Sequence, residues 1–192
     1  MDSNLTLPNL KFDNAAGAKP TAQEFHQILR AVIAQISNPQ KTMSSEETER
    51  WTSFIFGLSD NFCASFVLPG SMSWNAMKDK ITFLKTALEG IYQAALHVEG
   101  LFSQKLDPVG TLVVRLLNIC NVLDVWLDGQ VEIEDGIPSP TTLRELAFKA
   151  LVAVLRSLGG SITRFCQPEE PRWKVLRILL TECTELVSGV SW

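Results

Sequence analysis

Histidine is almost missing from this chain of 192 residues: there are two, His26 and His97. A hydrolase working through an imidazole base would have only these to draw on, with nucleophile and orienting acid supplied from elsewhere. Both have a plainer reading. His26 lies between Phe25 and Gln27 as a solvent-side residue would, and His97 falls near a helix end, where a histidine commonly meets the terminal carbonyls. Cysteine is scarce too. Cys63, Cys120, Cys166 and Cys183 are too few for a disulfide scaffold, and no two have the short spacing of a thiolate zinc site. They read as thiols of a reducing compartment.

Blocks of basic residues are also absent. The 17 Lys and Arg against 21 Asp and Glu leave a net charge of −4, without the basic stripe or arm that phosphate neutralisation uses, so nucleic acid is not the expected partner. The arrangement that would reopen that reading gathers Arg144, Lys149, Arg156, Arg164, Arg172, Lys174 and Arg177 on one face. Met1-Asp2-Ser3-Asn4 leads into no positively charged stretch followed by an apolar run, so no secretory signal is expected and the cytoplasm or nucleus is the expected location. Val109 to Leu127 is nearly long enough to cross a bilayer. Arg115, Asn118, Asn121 and Asp124 interrupt it at a cost lipid does not tolerate, so a core helix is expected there rather than membrane insertion.

Phosphate-loop and dinucleotide glycine patterns are missing: Gly159-Gly160-Ser161 lacks the lysine, and no glycine fingerprint follows a strand. The acidic stretch from Asp128 to Pro138 lacks oxygen ligands at alternate positions ahead of its glycine, with Trp126 occupying one of them, so it is not a calcium loop. The carboxylates fall in solvent placements: Glu46, Glu47 and Glu49 in a first helical turn, Glu132, Glu134 and Asp135 in a loop. No catalytic residue, cofactor or metal is expected.

What the chain does have is apolar mass. Apolar residues make up 46% and charged residues 20%, an ordinary globular balance, and the length suits one domain with a core of its own. Residues 1–20 show no helical period and read as a flexible lead. Alternatively, Leu5, Leu7, Leu10 and Phe12 form an extended arm that packs on the domain or on a neighbour. Residues 21–192 read as one all-helical domain.

Its first helix opens at Thr21 with Glu24 closing a capping box, carries Phe25, Ile28, Leu29, Val32, Ile33 and Ile36, and stops near Asn38-Pro39. A second repeats the device with Ser44 and Glu47 and carries Trp51, Phe54, Ile55, Leu58 and Phe62. A third runs from Ser73 to about Phe102, long enough to predict a bend at Gly90 or a break at Gly100. Asp107 and Pro108 start a fourth, apolar nearly all round and therefore expected to be central. Ser139 and Pro140 start a fifth, which Gly159-Gly160 is expected to end, with Ile162 and Phe165 in a short following turn; the alternative is a helix that continues through the glycines to Cys166. A sixth follows Pro168 and Pro171 through Val175, Leu179 and Leu186.

No run alternates strongly enough for a strand. The fold class is thus all-α: an antiparallel helical bundle of five to seven helices, or a short armadillo-like or HEAT-like stack of helical pairs. No consensus repeats at a fixed period, which favours the bundle.

Aromatic residues bear most on function: five tryptophans and ten phenylalanines accompany a single tyrosine. Trp51, Trp74 and Trp126 lie on or beside helical stripes and read first as core. Trp173, between Arg172 and Lys174, and Trp192 are candidates for a binding face, since large rings that stay partly uncovered often mark contact surfaces. With many packing residues and few reactive ones, the chain reads as a non-enzymatic protein-interaction domain, an adaptor or scaffold, whose partner is another protein or a copy of itself. The candidate contacts are the final helix, with Trp173, Trp192, Arg172, Lys174 and Arg177, and the acidic loop, with Glu132, Glu134 and Asp135. Two other classes compete: a self-assembling, coat-like protein that uses the N-terminal arm, and a small-ligand carrier or enzyme with a cavity between helices.

Overall fold

The computed structural model describes residues 44–60, 73–97, 106–127, 132–165 and 181. The expected lead at 1–20, the helix from Thr21 and the helix after Pro171 lie outside them. Four helices occur among the described residues, with no strand: α1 (Ser45–Leu58), α2 (Lys78–His97), α3 (Leu106–Leu127) and α4 (Pro140–Phe165), with a single 3-10 turn at Asn75–Met77 leading into α2. The fold is all-α, as its periodicity predicts, and consistent with a bundle.

Helix α1 begins directly after Ser44, and its Phe54 and Ile55 are buried. At Ser59 and Asp60 it loosens into a π turn. The start of the next element is tighter. Ser73 Oγ accepts from the Ala76 amide at 3.3 Å and the Met77 amide donates to the Trp74 carbonyl at 3.0 Å, so the chain enters through the 3-10 turn before the α-helical pattern begins at Lys78. Met77, Ile81, Leu84, Leu88 and Ile91 then recur at the spacing of one helical face, and all are buried. The hydroxyls of Thr82 and Thr86 donate to the carbonyls one turn back, at 2.9 and 2.8 Å, which satisfies the buried Thr86 within its own helix. Helix α2 is continuous through the buried Gly90 over its described span, Lys78–His97; the expected continuation to Phe102, with Gly100, lies outside the described residues.

Helix α3 buries Val109, Leu112, Val113, Leu116, Ile119 and Leu123 along one side. Pro108–Leu127 is long and apolar enough to cross a membrane by length and composition, a test that the core helices of soluble proteins also pass. Here its inner face belongs to the common core. The expectation that this helix is the central one needs correcting, because Val114, Val125 and Leu127 on it are exposed.

Among the described helices α4 packs against both α2 and α3, and α2 in turn packs against both α4 and α1. Leu143, Ala147, Ala150, Leu151, Ala153, Val154 and Leu158 of α4 are buried. At 100° per residue they spread over an arc broad enough to serve two neighbours. The start of α4 is the one its sequence predicts: Ser139 Oγ accepts from the Thr142 amide at 3.1 Å with Pro140 in the first helical position.

At its other end the helix runs through Gly159-Gly160 to Phe165, so of the two readings of the glycine pair the continuation holds and the stop does not. Tertiary packing of the preceding turns outweighs a propensity deficit of about 1 kcal/mol per glycine. A Cβ added at Gly160 would meet nothing within 4 Å, and the residue is exposed. Gly160→Ala is therefore expected to stabilise the protein by about 0.4–1 kcal/mol in urea unfolding, through the reduced freedom of the unfolded chain.

Candidate functional site

The acidic connection between α3 and α4 is the sequence-derived candidate that the structure describes, and it is held from three directions. Asn75, in the 3-10 turn, grips its backbone twice. Its Nδ2 donates to the Glu132 carbonyl at 3.2 Å, and its Oδ1 accepts from the Glu134 amide at 3.2 Å. Next to it Trp74, 1% exposed, donates through Nε1 to the Pro138 carbonyl at 3.0 Å. Ile137 is buried at the end of the loop, and its amide closes a turn onto the Glu134 carbonyl at 3.1 Å.

That turn, Glu134-Asp135-Gly136-Ile137, places Gly136 at φ +84°, as a type II turn requires of its third residue. No neighbour crowds the position, so the constraint is purely conformational. Gly136→Ala is expected to cost about 1–2 kcal/mol in denaturant unfolding, the penalty of an L residue in the left-handed region.

Held in this way, Glu132, Ile133, Glu134 and Asp135 are all exposed. Three carboxylates and one apolar side chain thus project from a backbone whose conformation is set by contacts made 57 to 64 residues away in sequence. Trp74 also carries the far wall: its ring meets that of Trp126 edge-on, with centroids 5.2 Å apart and planes at 63°. Trp74 is core, as its stripe predicts, and Trp126, half-buried, is partly so. The side chain of Trp51 lies outside the described residues. So do Arg172, Trp173, Lys174, Arg177 and Trp192, the other candidate contact.

The polar strip of α3 divides in two. Arg115 reaches back to the end of α1, donating to Ser59 Oγ at 3.1 Å and pairing with Asp60, while Asp124 pairs with Arg144 of α4. Asn118 and Asn121, between them, face solvent. The two ion pairs are half-exposed and fix helix register more than they add stability.

Cys120 lies beside the second pair. Burial pushes its thiol from an ordinary 9.0 up to about 11; Asp124 adds to the rise and Arg144 offsets part of it. The folded chain keeps a proton that the unfolded chain releases near pH 9. The resulting stabilisation is complete below about pH 9 and is lost as pH rises from there to about 11. At pH 8 alkylation of Cys120 by iodoacetamide, followed by peptide mass spectrometry, is expected to be slow in the native protein and fast in denaturant. Rapid native alkylation would contradict the assignment of a half-buried, protonated thiol.

Asn75 is the functional residue that sequence reasoning misses. In sequence it is one polar residue in a first helical turn, and its role exists only once Glu132 and Glu134 are brought to it. Among the described residues no three His, Cys, Asp or Glu side chains group closely enough to hold a metal ion. The fold and the site together define an all-α domain with a braced acidic loop. Comparison of the chain with family models, with curated proteins and with solved structures gave no match.

Proposed function

We propose that this chain is a non-enzymatic protein-interaction domain, an adaptor or scaffold, that offers the acidic loop at residues 132–135 to a basic surface of another protein. The supporting observation is the bracing of that loop by Trp74, Asn75 and Ile137, which leaves three carboxylates and Ile133 outward in a fixed arrangement. A loop that is already ordered loses little conformational entropy on binding, so more of its contact energy appears as affinity. An apolar side chain among charges provides a small desolvated centre with a polar rim. The same reading puts the domain in the cytoplasm or nucleus, outside the membrane and without a cofactor.

The test is affinity capture from a lysate of the source cells with the full chain and with its Glu132→Lys, Glu134→Lys, Asp135→Lys variant. All three positions are exposed, so the variant keeps its fold, which circular dichroism checks. Proteins held by the loop are expected to leave the wild-type chain as salt is raised and to be missing from the variant, since exposed charges are screened by salt. A capture pattern that charge reversal leaves unchanged would remove the loop from the interface.

A further inference from the structure

We draw no further inference here: the strongest candidate, the surface patch that Ile133 makes with Glu132, Glu134 and Asp135 on the loop between α3 and α4, belongs to the site already described, and nothing among the described residues shows what covers it.

Discussion

Trp74→Ala is expected to cost about 3–5 kcal/mol in denaturant unfolding, the largest single effect in the described part of the molecule. The ring is 1% exposed and bears on two elements at once, so its removal leaves a large cavity and ends the edge-to-face contact with Trp126. It also leaves the Pro138 carbonyl without its donor. Trp74→Phe separates these effects: most of the aromatic bulk stays while the Nε1 bond is lost, for an expected cost of about 1–2 kcal/mol. Amide exchange supplies a second readout. In Trp74→Ala the amides of Glu134 and Ile137, which close the loop, are expected to exchange faster relative to those of α2 than they do in the wild type. Equal stability of the alanine variant and the wild type would mean that Trp74 does not brace the loop to the helices.

Leu143→Ala is the second large effect, at about 2–5 kcal/mol. Leu143 is fully buried in the first turn of α4, the helix that packs against both α2 and α3, so the cavity opens within the buried core. The control is Leu96→Ala on α2, 48% exposed, for which a change within about 0.5 kcal/mol is expected. The same residue type thus gives opposite outcomes according to which side of its helix it occupies. A large loss at Leu96, or a negligible one at Leu143, would contradict the assigned faces.

Much of this was legible in the sequence because it depends on near neighbours. The start of α4 at Ser139-Pro140 follows from capping chemistry confined to four residues, and α1 begins after Ser44, where the sequence places it. The inner stripe of α2 follows from spacing alone. The exposed acidic loop could also be placed, since glycine, proline and carboxylates together break a helix and favour water. The surroundings of that loop could not. The grip of Asn75 on Glu132 and Glu134 joins residues almost sixty positions apart, and nothing local to either end signals it.

Two expectations failed for related reasons. Gly159-Gly160 was expected to end a helix because each glycine is a poor helix former, yet packing along Leu151, Val154 and Leu158 carries α4 onward to Phe165. Helix α3 was expected to be central because its hydrophobicity extends around most of the cylinder. Valines on its outer face are instead exposed, and among the described helices the less apolar α4 is the one that packs against both α2 and α3.

The sequence by itself determined that the described elements are helices, where two of them start, and which side of α2 and α4 is apolar, since these rest on periodicity and on bonds closed within one turn. Only the tertiary structure decided how the described helices pair, what holds the acidic loop in place, and which face of α3 the described residues bury. Those depend on side-chain volume and on hydrogen bonds between residues far apart in the chain, whose energies are realised only after the helices have packed.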